Sequence, residues 1–419
     1  VIDVLDELHW RGLVAQSTDE AALREALSNG PIAYYCGFDP TAPSLHHGHL
    51  VQLIVLSHLQ RAGHRAVALV GGATGMIGDP RQSGERVLNT KETVAEWTGR
   101  LQAQISRFLD FEGDNPAVMV NNLDWIQGMS AIDFLRDVGK HYRLGTMLAK
   151  DTVARRLRSD EGISFTEFSY QILQGIDFLE LFRRHGVTLQ TGGNDQWGNL
   201  LSGVELVRRT EGEVVHVLTT PLITKADGTK FGKTEGGAVW LAPDMMSPYA
   251  FYQYWLNAAD ADVVSWLKIF TFRSREEIED LAVAVRERPG AREAQRTLAA
   301  DVTTLVHGQE ATDAVIAASQ ALFGRGELAG LDATTLDAAT AELPRVDVTV
   351  GTPVLDALVD SGLVPSRAAG RRAMADGGAY VNNVKVEAED AVLQAQDLLH
   401  GRFVLLRRGK KTLAVAVAQ

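Results

Sequence analysis

The sequence predicts an α/β protein: a Rossmann-like, doubly wound parallel sheet, then an all-helical domain, then a small C-terminal α+β module. Three observations carry this reading. Over the first two-thirds of the chain, compact apolar runs alternate with helix-period stretches. From about residue 247 to 322 the strand signals fade and long amphipathic patterns take over. From residue 352 short helices and short strands return.

Taken in order, residues 32–38 form an apolar run that ends in a loop with Pro40 and Pro43, followed by a helix-like stretch at 48–61. Residues 65–70 form a second such run, ending at Gly71 and Gly72. Residues 117–120 and 188–190 read as further strands, and 168–184 and 196–208 as helices. Strands that read as continuous apolar runs are covered on both faces, as in parallel sheets wound with helices. Ligands of such sheets sit outside the carboxyl ends of the strands. Residues 276–288 and 291–306 are amphipathic helices. The stretch 324–348 is rich in Ala, Thr, Asp and Leu, holds Pro344, and reads as a linker. A helix pair at 354–361 and 366–375 then leads through Gly377 and Gly378 to strands at 379–381 and 403–407. The expected divisions are 1–222 for the sheet domain, 223–246 for a mobile lysine loop region, 247–323 for the helical domain, 324–351 for the linker and 352–419 for the last module.

Composition narrows the function classes. Of 419 residues, 45% are hydrophobic, as in ordinary globular chains. No apolar run reaches the roughly 18 residues that a membrane span needs, so no membrane partner is expected. Cys36 is the single cysteine, which excludes a disulfide within one chain. Asp3, Asp6 and Glu7 stand where a secretory signal is basic. Both features predict a cytoplasmic setting. A net charge of −12 argues against a surface that is nucleic-acid platform throughout. The segment 400–411 is the exception, with Arg402, Arg407, Arg408, Lys410 and Lys411 and no acid.

Two motifs carry chemistry. His46-His47-Gly48-His49 opens the helix after the first strand and its loop. His46 and His49 share a helix face, at a helix start whose free N–H groups and dipole suit phosphate. Gly48 leaves room for a flat ring to approach the backbone. No further His or Cys cluster nearby completes a zinc set, so no metal ligand is assigned. Lys230-Phe231-Gly232-Lys233-Thr234 follows Lys225-Ala226-Asp227-Gly228 and reads as a mobile loop. Two lysines in such a loop can close on a polyphosphate and neutralise the charge of a leaving pyrophosphate. The glycine pattern does not fit a P-loop. Tyr170, Gln174 and Asp177 are spaced to share one helix face; taken alone, an amphipathic surface helix explains them as well.

Together the two motifs resemble the signatures of class I aminoacyl-tRNA synthetases. The blocks around Tyr35 to Thr41, Gly71 to Pro80, Thr166 to Gln171 and Gly192 to Trp197 are similar to those of bacterial tyrosyl-tRNA synthetases, from end to end of the chain. His47 departs from the aliphatic residue usual at its position, and its side chain is expected to point away from the nucleotide with little chemical effect. The resemblance implies activation of L-tyrosine by ATP, then transfer to tRNA(Tyr). It implies that Tyr35 and Asp177 bond the substrate phenol, that Asp79, Tyr170 and Gln174 hold its ammonium group, and that Gln196 lies near its carboxylate. Thr41, His46, Lys230 and Lys233 would stabilise the transferring phosphates, and Cys36, His49, Gly193 and Asp195 would hold the ribose. Gly37, Asp39, Gly48, Phe231, Gly232 and Thr234 complete the implied ATP contacts. Mg²⁺ would accompany ATP, held by phosphates and water.

The resemblance further implies that the last module is an S4-like RNA-binding domain, with Arg367, Arg371, Arg372, Arg407, Arg408, Lys410 and Lys411 as its phosphate contacts. It also implies a homodimer. The rival readings are a tryptophanyl-type synthetase, an RNA-free nucleotidyl transferase and a non-catalytic RNA-binding paralogue.

Overall fold

The computed structural model describes residues 3–82, 84–232 and 237–419. It divides into two compact units, residues Val1–Met246 with Ala258–Ala294, and Ser247–Asn257 with Gln295–Gln419. Among the described residues no helix is long and apolar enough to cross a membrane.

The first unit is built on a six-stranded sheet of β1 (Gln16–Ser17), β2 (Ala33–Phe38), β3 (Arg65–Val70), β4 (Val118–Asn121), β5 (Val187–Gly193) and β6 (His216–Thr220). Their order is β1-β6-β5-β2-β3-β4. Every pairing is parallel except that of the edge strand β1 with β6. The chain runs outward from β2 through β3 to β4, then returns to lay β5 on the other side of β2. The carboxyl ends of β2 and β5 therefore flank a topological switch point, where a crevice opens between diverging connections. Tyr35 pairs with Gln190 across this junction.

The helices follow from local sequence. The helix His47–Arg61 buries Leu50 through Ser57 without interruption, as a helix inside the core must. The helix Phe165–His185 starts where Ser164 accepts the Glu167 N–H and ends at Gly186, whose φ of 64° gives the left-handed cap. It lies on the helix Trp197–Glu211 so closely that a Cβ on Gly203 would sit 3.0 Å from Phe178. Ile176, Phe178, Leu179 and Leu181 join Tyr35, Val67 and Leu69 in one core cluster.

The expected helical domain at 247–323 is not one body. The helices Asp260–Phe270 and Arg275–Glu287 belong to the first unit. Arg11 holds the end of the first of these, donating to the carbonyls of Lys268 (2.9 Å), Thr271 (2.8 Å) and Arg273 (2.7 Å). The helices Pro248–Leu256 and Gln309–Leu322 belong to the second unit.

The expected linker at 324–351 holds structure as well. It contains the helix Ala333–Thr340 and the strand β7 (Arg345–Val348). The second unit's sheet adds β8 (Ala379–Val381), β9 (Val384–Lys385), β10 (Phe403–Arg408) and β11 (Thr412–Ala418), in the order β7-β11-β10-β8-β9. Alternation along β10 and β11 gives the sheet two apolar faces. Val404, Leu406, Ala414 and Ala416 pack with the helices Val354–Asp360 and Arg367–Ala375. Phe403, Leu405, Leu413 and Val415 pack with Ala318, Leu322 and Leu336. The 324–351 stretch is therefore part of a layered unit.

Candidate active site

A cavity of about 710 Å³ opens at the switch point. Its lining includes Tyr35, Cys36, Gly37, Asp39, Thr41, His46, Gly48 and His49 from β2 and the segment that follows, and Asp79 from the loop after β3. Tyr170, Gln174 and Asp177 line it from one helix face, and Gly193, Asp195 and Gln196 from the end of β5. Lys230 and Phe231 close the list of expected residues found there. Gly232 is not in the lining, and Lys233 and Thr234 lie outside the described residues.

At the deep end, Asp177 and Tyr35 are almost fully buried. Asp177 accepts from Trp125 Nε1 at 3.0 Å and from Asn122 Nδ2 at 3.0 Å. Burial pushes its carboxyl up to about 8, although those two bonds favour the charged form. The Tyr35 hydroxyl is buried and has no hydrogen-bond partner among the described residues, and neither do Gln174 Oε1 and Gln190 Oε1. Three unpaired polar atoms around one cavity are costly unless a ligand meets them.

A continuous network fixes this end. Tyr170 donates its hydroxyl to Asp39 Oδ2 at 2.6 Å, and Thr74 donates to Asp39 Oδ1 at 2.6 Å. Asn122 Nδ2 reaches Thr74 Oγ1 at 2.9 Å as well as Asp177. Gly71 is required beneath it, because a Cβ there would lie 2.0 Å from Asp39 Oδ1. With its proton committed to Asp39, Tyr170 presents lone pairs, which suits an ammonium donor. Asp79 accepts from Gln196 Nε2 at 3.0 Å and Asn199 Nδ2 at 3.1 Å. Asp39 lines the cavity, but both its oxygens hold this scaffold together.

The end of the cavity at the histidine tetrad, where a nucleotide is expected, is built differently. His46 caps the helix His47–Arg61, its Nδ1 accepting the Gly48 N–H at 3.1 Å. His49 Nδ1 accepts the His46 N–H at 3.1 Å in return. Burial lowers the pKa of both rings, so they are neutral at pH 7. With Nδ1 accepting, each neutral ring carries its proton on Nε2 and can donate there. His47, expected to turn away, also lines the cavity and packs on Phe231 at 5.1 Å. Phe231 packs on Trp266 and Phe270 besides, as a buried aromatic anchor at the rim. Cys36 is buried and its thiol is pushed up to about 12, first by burial, which removes the thiolate a nucleophile needs.

Sequence reasoning missed Thr74, Asn122, Trp125, Gln190 and Asn199. Asn122 stood just past a strand's carboxyl end, the place where such sheets put functional groups. Trp125 carried no such signal. Among the described residues no group of three His, Cys, Asp or Glu side chains could hold a metal ion.

In the second unit, Arg372, Arg408, Lys410 and Lys411 are exposed. Arg367 pairs with Asp356, and Arg371 pairs with Glu389 at 2.7 Å. Arg407 does not fit the expected phosphate-contact set. It is buried, stacked 3.8 Å from the Tyr380 ring centroid, and bonded to Asn383 and the Gly409 carbonyl.

Comparison with known proteins agrees with this fold. Residues 27–324 match the family model of tRNA synthetases class I (W and Y), and residues 335–416 match the tyrosine–tRNA ligase SYY-like C-terminal domain. A tyrosine–tRNA ligase of Streptomyces avermitilis is 64% identical over 413 residues, 98% of each chain. One from Corynebacterium glutamicum is 57% identical over 416 residues, 99% of each chain. A C-terminally truncated mitochondrial tyrosyl-tRNA synthetase of Coccidioides posadasii superposes with a TM-score of 0.67 at 33% identity, covering 75% of this chain and 91% of that one. A tryptophanyl-tRNA synthetase of Encephalitozoon cuniculi shares the fold at 15% identity and a TM-score of 0.53, over 74% of this chain and 87% of that one. The chain belongs to the tyrosine–tRNA ligase family of class I tRNA synthetases.

Proposed function

We propose that the chain joins L-tyrosine to ATP to form tyrosyl-adenylate and pyrophosphate, then transfers the tyrosyl group to the terminal adenosine of tRNA(Tyr). The observation that carries the amino-acid assignment is the unpaired, buried Tyr35 hydroxyl in the same cavity as Asp177. A phenol can bond the Tyr35 hydroxyl and a remaining lone pair of Asp177, whereas a phenylalanine ring would leave the Tyr35 hydroxyl unmet. The tryptophanyl reading shares the fold, but neither it nor the non-catalytic reading is favoured over the tyrosyl one.

The first step needs no general base, because the amino-acid carboxylate is ionised at neutral pH. Asp79, Tyr170 and Gln174 hold the ammonium group, and Gln196 lies by the carboxylate. The α-phosphorus is attacked in line, and His46, Thr41 and Lys230 stabilise the charge that moves onto pyrophosphate. Lys233 and Thr234 are proposed to act with them. His49, Gly193 and Asp195 hold the ribose, with Cys36 as a packing neighbour. Mg²⁺ enters with ATP, carried by the phosphates and water.

RNA binding is proposed for the second unit through Arg372, Arg408, Lys410 and Lys411, with Arg367 and Arg371 exchanging their acidic partners for phosphate. A homodimer is proposed through the first unit. Ile132, Leu144 and Phe165 are 68%, 65% and 71% exposed, and are apolar side chains that a second copy could cover.

The test is ATP–pyrophosphate exchange without tRNA, with each of the twenty amino acids in turn. Exchange with tyrosine alone is expected. Exchange with tryptophan in its place, or with none, overturns the assignment.

A further inference from the structure

The lysine loop is held at both shoulders by one residue. After the loop, the chain returns to the tetrad as a short antiparallel bridge, with Trp240 opposite His46. The His47 N–H donates to the Val239 carbonyl at 3.0 Å, and the Leu241 N–H donates to the Leu45 carbonyl at 2.9 Å. At the start of the loop, the His47 ring packs on Phe231 with ring centroids 5.1 Å apart. It also lies against the Gly232 backbone. A Cβ added to Gly232 would be 2.1 Å from His47 Cε1 and 2.4 Å from Nε2. Gly232 has φ +78°, a second reason for glycine there. Phe231 is fixed from its other sides by Trp266 at 4.7 Å and Phe270 at 5.5 Å. Lys230, which lines the cavity, is the next residue along the chain.

We propose that His47 is a positioning residue for the lysine loop: its imidazole is the seat that fixes Phe231 and Gly232, and through them Lys230, at the nucleotide end of the cavity. A flat ring suits the task, since it lets a glycine backbone lie against it while Phe231 packs alongside. The seat must also stay uncharged beside a lysine loop. Burial, with His46 as neighbour, lowers the His47 pKa to about 4, so the ring is neutral at pH 7. The inference rests on the reading that Lys230 stabilises the leaving pyrophosphate.

The test uses the full chain with His47→Ala and His47→Leu. Three quantities are read: the rate of adenylate formation at saturating substrates, the tyrosine Kd by intrinsic fluorescence, and the rate of tryptic cleavage at Lys225 and Lys230. His47→Ala is expected to slow adenylate formation about tenfold or more, since small misplacements of a catalytic group carry costs of this order. Tyrosine Kd is expected to change by less than about twofold while loop cleavage accelerates, because Asp177 and Tyr35 do not depend on the seat. His47→Leu refills the volume without the flat ring and is expected to recover part of the rate. Unchanged rate and unchanged cleavage in both variants would overturn the proposal. So would a tyrosine Kd that rises in step with the lost rate, because His47 would then be a prop of its helix. Lys230→Ala separates the underlying reading: an unaltered rate in that variant would sink the role of Lys230, whatever the cleavage of the His47 variants shows.

Discussion

The two ends of the cavity are built by opposite means. At the tyrosine end every support is a side chain locked by another side chain: Tyr170 on Asp39, Thr74 on Asp39, Asn122 on Thr74 and Asp177, Trp125 on Asp177. At the nucleotide end the histidines are fixed by the backbone of a helix start, and the lysine arrives on a loop. The first arrangement is rigid before substrate comes, which suits reading a phenol by fixed hydrogen bonds. The second leaves donors and positive charge free to meet a phosphate whose charge grows during reaction. On the proposed function, discrimination and acceleration fall on different parts of one cavity.

The largest expected effect comes from removing the surface of the second unit that is proposed to bind RNA. Deleting 325–419 is expected to abolish most tRNA charging while exchange stays near wild type. Cutting at 352 is expected to give a less stable, aggregating chain, because Leu328, Leu331 and Leu336 lose the sheet that covers them. Charging assays, exchange assays and thermal denaturation on both truncations check this. Next comes Lys230→Ala, expected to lower the rate of adenylate formation by about 10²–10³, as for loss of one preorganised charge donor. Single-turnover kinetics measure it. Trp125→Phe removes one bond to Asp177 and is expected to weaken tyrosine binding about tenfold, read by fluorescence titration.

The last expected effect is in pH. Asp177 has a folded pKa near 8 against an ordinary value of 3.8. An acid raised on folding adds stability that is fully present below its unfolded pKa and is lost as pH rises through the folded one. Asp177→Asn should therefore gain stability relative to wild type between pH 5 and about 8, seen by denaturant titration at several pH values. A flat difference would mean that Asp177 stays ionised in the empty site.

The same contrast explains what the sequence disclosed. β3 and the helix Phe165–His185 were legible because apolar runs and helix caps are local. β6 is wholly buried, but its His and Thr residues hide the apolar signature. β7 is short and half charged, as an edge strand is, so its sequence reads as linker. The split of 247–323 was illegible, because amphipathicity shows that a helix has a partner without naming it; Arg11 supplies that partner from 257 residues away. In the site, the residues proposed to touch substrate sit in recognisable motifs. Those that hold them, Thr74, Asn122 and Trp125, are bound to Asp39 and Asp177 across stretches of 35 to 55 residues and carry no local pattern.

One crossed measurement tests the division of labour most directly: tyrosine Kd and the rate of adenylate formation, determined separately for Asp177→Asn and Lys230→Ala. The account predicts that Asp177→Asn raises Kd and relaxes the preference over phenylalanine, while Lys230→Ala lowers the rate with Kd unchanged. If each variant moved both quantities together, or if Asp177→Asn kept the preference for tyrosine, the two ends of the cavity would not have separate tasks.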